Sequence, residues 1–255
     1  MTADFRLVAV HGFLGRPSDW DGLADWFPDA SVSALDLWAL IDRPGVVDWT
    51  SMSRALELAL TELPGGGDAR PAFLIAYSFG ARLALSSTML STPASPVRGC
   101  CFVSCNPGLP EGDRAAREGR RASDEDWAKR ILAWPEDEIW REWDAQPVFG
   151  GSCRSVSRVG LPASRGTLAR ALRLFSLAGQ PDYRSRLRAW AAPVLWIAGA
   201  RDVKFSTIAR ELSDAGIPAT FVTCEEAGHR VPWDNPSAFA RAVRPWIARV
   251  METHR

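Results

Sequence analysis

One serine of the chain lies in a motif that is typical of a catalytic nucleophile. Ser78 is the centre of Ala-Tyr-Ser-Phe-Gly, which follows an apolar run and precedes a stretch of helix-forming residues. So tight a turn from strand to helix requires small flanking residues, and it exposes the serine hydroxyl above the carboxyl edge of a sheet. Ala76 replaces the first glycine of the G-x-S-x-G pattern, which adds one methyl group. The motif predicts a nucleophile elbow, and an ordinary N-cap serine is the alternative.

A carboxylate and an imidazole follow two later apolar runs. Asp202 comes directly after one of these runs, and His229 comes shortly after the next. A neutral imidazole accepts a serine proton near neutral pH, and a buried carboxylate fixes its tautomer and stabilises its charged form. His254 lies one residue from the end of the sequence, so His229 is the stronger candidate for the base. We predict that Ser78, Asp202 and His229 are catalytic, against the alternatives of an N-cap aspartate and a core or helix-terminus histidine.

A loop near the start of the sequence has the composition of an oxyanion loop. His-Gly-Phe-Leu-Gly, residues 11–15, follows the first apolar run. The backbone N–H groups of Phe13 and Phe79 are predicted to stabilise a developing oxyanion, with a role in the core as the alternative for each side chain. His11 is assigned as a substrate-binding residue of this loop. Tyr77, beside the nucleophile, is open to two interpretations, a hydroxyl in the pocket or packing beneath the elbow.

Composition excludes several classes of function. The 255 residues include 30 basic and 30 acidic side chains, so no overall charge favours nucleic acid or an acidic membrane surface. No basic segment followed by a long apolar stretch opens the sequence, and no run is long enough for a membrane span, so we expect a soluble, cytoplasmic protein. The five cysteines form no C-x-x-C pair and the histidines number only three, so neither a metal nor a cofactor is expected.

Alternating apolar runs and helical patterns predict an α/β fold with a mostly parallel sheet of about six strands flanked by helices. The six runs are 5–10, 31–35, 71–77, 99–104, 193–198 and 219–224. The helical patterns are 20–26, 52–63, 81–90, 206–215 and 236–250. A segment without strands interrupts the alternation, which predicts a core of residues 1–106 and 191–255 with a helical cap inserted at 107–190. A cap at that place can close over the carboxyl edge of the sheet.

The order serine, aspartate, histidine is that of the α/β hydrolases. More narrowly, the chain resembles the 2-succinyl-6-hydroxy-2,4-cyclohexadiene-1-carboxylate synthase family of menaquinone biosynthesis. The stretches that carry this resemblance are His11–Gly15, Tyr77–Arg82, Asn106–Leu109, Ser123-Asp124 with Trp127-Ala128, Trp143 with Gln146–Phe149, Ser176–Ala178 with Gln180–Asp182, Arg201-Asp202 with Lys204-Phe205, and Gly228-His229 with Asn235-Pro236. The elbow and the histidine occur in many hydrolases, whereas Gln-Pro-Val-Phe and Ser-Leu-Ala-x-Gln-Pro-Asp are narrower signals.

The resemblance implies an α/β-hydrolase-fold lyase. The serine, supported by histidine and aspartate, removes a ring proton, and an enolpyruvyl group leaves as pyruvate. The implied substrate is a small molecule with several carboxylates, which guanidinium groups bind bidentately. Arg82 matches a family arginine in register, and Arg158 matches a second. The third position is Ala122 here, which leaves Arg121 or Arg120 to substitute. Trp143 matches a cap tryptophan that would close one wall.

One departure from the family pattern lies after the second strand. The family usually has Pro-Gly-His-Gly there, whereas Asp36 is followed by residues 37–42 without that turn. An altered specificity is therefore one expectation. Two alternatives to the lyase stay open, a serine esterase or carbon–carbon bond hydrolase acting through an acyl-serine, and a non-catalytic hydrolase-fold binding module. We expect a monomer or a small homo-oligomer.

Overall fold

Six parallel strands form the centre of the protein. The computed structural model describes residues 4–62, 70–93, 95–152, 158 and 160–253. The strands are β1 (Phe5–Val10), β2 (Ala30–Leu35), β3 (Ala72–Tyr77), β4 (Gly99–Val103), β5 (Val194–Gly199) and β6 (Thr220–Cys224). Their order in the sheet is β2-β1-β3-β4-β5-β6, and every neighbouring pair is parallel. The predicted six-stranded parallel sheet is confirmed.

Burial differs between the centre and the edges of this sheet. All residues of β3, β4 and β5 are buried, because helices cover both faces, and their sequences are correspondingly apolar throughout. The edge strands β2 and β6 are half-buried and contain serine and threonine. Successive side chains of β3 face opposite sides, so Leu74 and Ala76 join one core layer whereas Ile75 and Tyr77 join the other.

Eleven α-helices lie in the described part of the chain. They are α1 (Leu23–Trp26), α2 (Leu37–Ile41), α3 (Trp49–Glu62), α4 (Phe79–Ser86), α5 (Arg114–Ala133), α6 (Glu136–Asp144), α7 (Arg165–Leu174), α8 (Arg184–Arg188), α9 (Val203–Asp214), α10 (Val231–Asp234) and α11 (Pro236–Glu252). Helices α2, α3, α4 and α9 contribute to one core layer, and α1 and α11 contribute to the other. Within the described residues, no helix is both long and apolar enough to cross a membrane.

The connection between β4 and β5 carries α5 to α8. These helices occupy the segment for which a cap was predicted, and α5 packs against α7 through buried residues such as Ile131 and Leu172. Arg117 of α5 holds two loops of the segment together, because its guanidinium donates to the carbonyl oxygens of Leu109 at 2.6 Å and of Ala178 at 2.7 Å. The division of the chain into a core and a cap stays a prediction.

The helix α2 was not predicted. It begins where the family turn is missing, and Asp36 caps it by accepting hydrogen bonds from the N–H groups of Trp38 at 2.9 Å and Ala39 at 3.3 Å. The indole of Trp38 donates to the carbonyl oxygen of Gly15 at 2.7 Å. Residues 37–41 therefore form a short buried helix that packs on the loop after β1.

Candidate active site

The turn that carries Ser78 is strained in the manner of a nucleophile elbow. Ser78 joins β3 to α4 with φ 51° and ψ −111°, a backbone conformation that residues other than glycine rarely adopt. Its N–H donates to the carbonyl oxygen of Val103 at 2.8 Å, which ties the turn to β4. A Cβ atom on Gly80 would lie 2.2 Å from the carbonyl oxygen of His11, so only glycine fits that position. The surrounding structure thus holds the serine hydroxyl in place.

Hydrogen bonds join the serine to the predicted histidine and aspartate. Ser78 Oγ lies 2.9 Å from His229 Nε2, and His229 Nδ1 lies 2.7 Å from Asp202 Oδ2. Asp202 also caps α9, because its other carboxylate oxygen accepts from the N–H of Phe205 at 3.2 Å. The histidine and the aspartate are both almost fully buried. The arrangement can pass a proton from the serine to the imidazole, with the carboxylate stabilising the charge that forms.

Ser104 supports the backbone of His229, a role that the sequence analysis did not predict. It follows β4, is buried, and adopts φ 49°. Its hydroxyl donates to the backbone carbonyl of His229 at 2.8 Å, and its N–H donates to Ile197 O at 2.8 Å. A serine directly after a buried strand is a signal for a site residue, but the sequence does not reveal that its partner is the histidine loop.

The two predicted oxyanion donors lie at the cavity. Phe13 and Phe79 line it with their rings 5.7 Å apart. Among the residues that the structure describes, none accepts a hydrogen bond from the backbone N–H of either phenylalanine. Both N–H groups are therefore open to an anionic oxygen beside Ser78.

The structure corrects the assignment of His11 as a substrate-binding residue. The side chain is fully buried and does not line the cavity. Its Nε2 accepts from the N–H of Leu37 at 3.1 Å, so the ring proton is on Nδ1, which donates to the carbonyl oxygen of Gly12 at 2.9 Å. Nε2 of His11 thus ties the loop after β1 to α2, whereas Nδ1 fixes the ring within that loop.

Tyr77 packs beneath the elbow, which was one of the two interpretations left open. Its ring stands edge-on to Trp233 at 4.9 Å between centroids and lies 5.6 Å from the ring of His229. Burial raises the pKa of its phenol far above the ordinary value. Tyr77 does not line the cavity, so the interpretation of its hydroxyl as a substrate-binding group of the pocket is corrected to a supporting role.

A cavity of about 700 Å³ opens above Ser78 and His229. Its apolar wall includes Phe13, Phe79, Trp143, Phe149, Leu172 and Phe175, and its basic side chains are Arg82, Arg120, Arg201 and Lys204. Trp143 lies where it was predicted, with its ring 4.8 Å from that of Phe13 and 4.9 Å from that of Trp127. Helices α5 to α7 supply part of this wall, so the segment between β4 and β5 covers the cavity above Ser78.

Arg82 lies at the base of the cavity, one turn along α4 from the serine. Its Nε donates to Gln180 Oε1 at 2.6 Å, and its Nη2 donates to Phe175 O at 2.7 Å. The guanidinium also lies over the ring of Trp49, 5.5 Å from the ring centroid. Burial, together with the charge of Arg120, lowers the pKa of Arg82 to about 9. The Nη1 atom has no hydrogen-bond partner among the described residues, so this buried cation can still bind an anion.

Arg120, and not Arg121, faces the cavity. Arg121 is exposed on α5 and is not part of the cavity wall, which corrects the prediction. Arg120 lines the wall, and its Nε donates to Asp124 Oδ2 at 2.8 Å, one helical turn away. The two terminal nitrogens of Arg120 make no hydrogen bond to any described residue, so Asp124 orients the guanidinium without occupying its outer edge.

Arg158 is also corrected, because an ion pair occupies its guanidinium. Nη1 and Nη2 lie 2.8 and 2.6 Å from the carboxylate oxygens of Asp144 in α6. The same carboxylate binds Arg230, the residue after the histidine, at 2.5 Å. The two arginines, which lower the pKa of Asp144, link α6 to the histidine loop, and Arg158 is not part of the cavity wall.

The parallel sheet, the elbow and the hydrogen-bonded serine, histidine and aspartate define an α/β-hydrolase-fold enzyme. Residues 7–242 match the alpha/beta hydrolase family, and the chain belongs to it.

Among known proteins, 2-succinyl-6-hydroxy-2,4-cyclohexadiene-1-carboxylate synthase of Klebsiella pneumoniae subsp. pneumoniae is 33% identical over 245 residues, which cover 91% of this chain and 89% of the relative. The synthase of Citrobacter koseri is 34% identical over 242 residues, with the same two coverages. These relatives confirm the resemblance.

Solved structures share the fold. MenH from S. aureus has a TM-score of 0.83 at 22% identity, covering 98% of this chain and 96% of that chain. A thermophilic esterase from Thermogutta terrifontis has a TM-score of 0.71 at 21% identity, covering 98% of this chain and 92% of that chain. At these identities the likeness speaks for the fold alone.

Proposed function

We propose that this protein is a lyase that eliminates pyruvate from 2-succinyl-5-enolpyruvyl-6-hydroxy-3-cyclohexene-1-carboxylate, giving 2-succinyl-6-hydroxy-2,4-cyclohexadiene-1-carboxylate. The observation that carries the proposal is the opening of the Ser78–His229–Asp202 chain into a cavity whose wall bears several cations. The names of the relatives at 33% identity support the same reaction. A substrate with several carboxylates fits this wall. The two acidic side chains of the wall, Asp202 and Asp124, are already paired with His229 and Arg120 and leave the other cations to the substrate.

The reaction follows from proton transfer at the serine. Ser78 Oγ, with its own proton passing to His229 Nε2, takes the proton from a ring carbon of the substrate. The electron pair of that C–H bond forms a ring double bond, and the C–O bond to the enolpyruvyl group breaks. The leaving enolate gains a proton and tautomerises to pyruvate. Asp202 stabilises the imidazolium while it exists, and the serine never becomes acylated.

Fixed donors stabilise the negative charge that builds up in this elimination. The N–H groups of Phe13 and Phe79 suit an oxygen that becomes anionic as the proton leaves. Arg82 and Arg120 present to the same cavity guanidinium nitrogens that have no acceptor in the part of the chain that the structure describes. Because these cations are held by Gln180 and Asp124 before substrate arrives, little ordering is needed on binding.

A serine esterase or carbon–carbon bond hydrolase is the second candidate. The observation that favours it is the pair of open N–H groups at Phe13 and Phe79, which also suits a tetrahedral intermediate. In that reaction Ser78 attacks a carbonyl and an acyl-serine accumulates. The cationic wall favours the lyase over an ester of low charge.

The test is to supply the enolpyruvyl precursor and measure pyruvate. Wild type is expected to release it, and Ser78→Ala is expected to lose at least about a hundredfold in kcat, the usual range for loss of a proton-transfer group. Arg82→Lys, which keeps the charge but not the two fixed hydrogen bonds, is expected to raise KM. Wild type that releases no pyruvate, but shows a burst of nitrophenol from a short ester and a trapped acyl group on Ser78, refutes the lyase.

A further inference from the structure

Lys204 is a cation of the cavity wall that no acidic side chain of the described residues neutralises. It lies in the first turn of α9, two residues after Asp202, with its Nζ 5.7 Å from the centroid of the Phe205 ring. Within the described parts of the chain, its ammonium makes no hydrogen bond, and no carboxylate oxygen lies within 4.0 Å. Of the thirty basic residues of the sequence, only Lys129 and Lys204 are lysines.

The position is unfavourable for a positive charge in the absence of a ligand. The first turn of a helix carries the positive end of the helix dipole, which repels a cation. Lys204 is exposed to solvent as a whole residue, but the cavity wall covers part of its side chain. This partial burial, and then the charge of Arg120, lower the pKa of Lys204; Arg82 acts in the same direction, whereas Asp202 and Asp124 oppose it. Both carboxylates are committed elsewhere, to His229 and to Arg120. An anion that enters the cavity would relieve this crowding of positive charge.

We propose that Lys204 binds a carboxylate of the substrate and, with Arg82 and Arg120, completes a three-cation carboxylate site on the cavity wall. Arg158, the second arginine that the family resemblance implied, is held by Asp144 and is not part of the wall. Lys204 reaches the cavity from α9, whereas Arg82 and Arg120 reach it from α4 and α5. The identity of the substrate rests on the proposed function, whereas the binding of a polycarboxylate does not.

The two lysines allow a direct test that requires no turnover. In Lys129→Arg, Lys204 is the single side-chain amine, and in Lys204→Arg it is Lys129. Both lysines are exposed residues but only Lys204 lines the cavity, so the two variants are matched controls. Each is acetylated with an N-hydroxysuccinimide ester, with and without propane-1,2,3-tricarboxylate at constant ionic strength, and the extent is read by peptide mass spectrometry. The tricarboxylate is expected to slow acetylation of Lys204 about tenfold, and to leave Lys129 unaffected, because the anion covers the amine and raises its pKa.

Kinetics with the enolpyruvyl precursor test the same contact. Lys204→Gln is expected to raise KM about tenfold, with kcat changed less than about threefold, since a charge-assisted hydrogen bond to the substrate is lost. Lys204→Arg is expected to retain most of the affinity. A lowered pKa means that Lys204 loses its charge at a lower pH than an ordinary lysine, so the KM of wild type rises at alkaline pH. Arg82, whose pKa is about 9, also loses its charge at alkaline pH and contributes to this rise in both proteins. The part that Lys204 causes is the difference between wild type and Lys204→Arg, and a structural role of Lys204 would produce no such difference.

The outcomes separate this proposal from the lyase. Selective protection of Lys204 in a protein that releases no pyruvate would support the carboxylate site and remove the lyase. Equal protection of the two lysines, no protection of either, or an unchanged KM in Lys204→Gln would overturn the role of Lys204 even if pyruvate is released. Melting temperatures of the variants within about 2 °C of wild type show that binding, and not folding, is compared.

Discussion

Two adjacent arginines of α5 provide the sharpest test of the cationic wall. Arg120 lines the cavity and Arg121 is exposed, although the sequence offers no reason to prefer one over the other. We expect Arg120→Met to lower kcat/KM for the enolpyruvyl precursor strongly. Arg121→Met, which removes the same charge from the same helix, is expected to leave kcat/KM within a factor of about two, because exposed charges are screened.

The size of the effect follows from the bonds that Arg120 makes. A hydrogen bond between ionised groups contributes about 1.5–3 kcal/mol, which corresponds to about a 10- to 150-fold loss in kcat/KM. The Arg120 side chain is 33% exposed, so solvent screens its charge and the lower part of that range is expected. Asp124, whose side chain is only 5% exposed, would also lose its partner at 2.8 Å. Leaving it unpaired costs about 1–3 kcal/mol of stability, or roughly 2–10 °C in Tm for a chain of this size.

A double variant separates binding from stability. Arg120→Met with Asp124→Asn replaces the buried carboxylate by a neutral amide, so most of the lost Tm is expected to return. The kcat/KM for pyruvate release is expected to stay low, because the guanidinium is still absent. The reasoning is refuted if Arg121→Met impairs the reaction as much as Arg120→Met, or if the double variant recovers wild-type kcat/KM.

Two further outcomes follow from the supports of the site. Ser104→Ala removes the hydrogen bond to the carbonyl oxygen of His229. We expect it to lower the free energy of unfolding, measured with urea, by about 1–2 kcal/mol and to lower kcat several-fold. An unchanged kcat would show that Ser104 does not position the histidine. Gly80→Ala is expected to lower the free energy of unfolding by about 1–3 kcal/mol or more, since its Cβ would lie 2.2 Å from the carbonyl oxygen of His11. Gly119→Ala, on the open surface of α5, is the control and is expected to raise the free energy of unfolding by about 0.5–1 kcal/mol. A Gly80→Ala protein as stable as wild type would contradict the packing of the elbow.

The strands could be predicted closely because their signal is local. A strand covered on both faces needs apolar residues without interruption, and each of the six runs lies within about a residue of the observed strand. Helices were less well defined. The predicted helix 81–90 is α4 followed by a 3-10 turn at Met89–Ser91, and α2 was missed because only five residues form it. A helix so short has little periodicity, and its stability comes from the packing of Leu37 and Trp38.

The side chains that line the cavity were harder to predict than the hydrogen-bonded serine, histidine and aspartate. Trp143 and Arg82 lie at the cavity as expected, whereas His11 is enclosed by backbone groups of Gly12 and Leu37. Arg158 belongs to a network with Asp144, a partner fourteen residues earlier that no motif indicates. A charged side chain is directed by its nearest opposite charge, and that neighbour is set by packing between distant segments.

The sequence by itself determined the order of the strands along the chain, the strained turn at Ser78 and the family, because these depend on residue type and on spacing between neighbours. Only the tertiary structure decided which cations face the cavity. Arg120 and Arg121 differ by about 100° around α5, and the packing of α5 on α7 decides that Arg120, with Asp124 one turn further along, faces the cavity. Orientation about a helix axis is a property of the packed molecule, so the chemistry of the wall emerges only when the chain is folded.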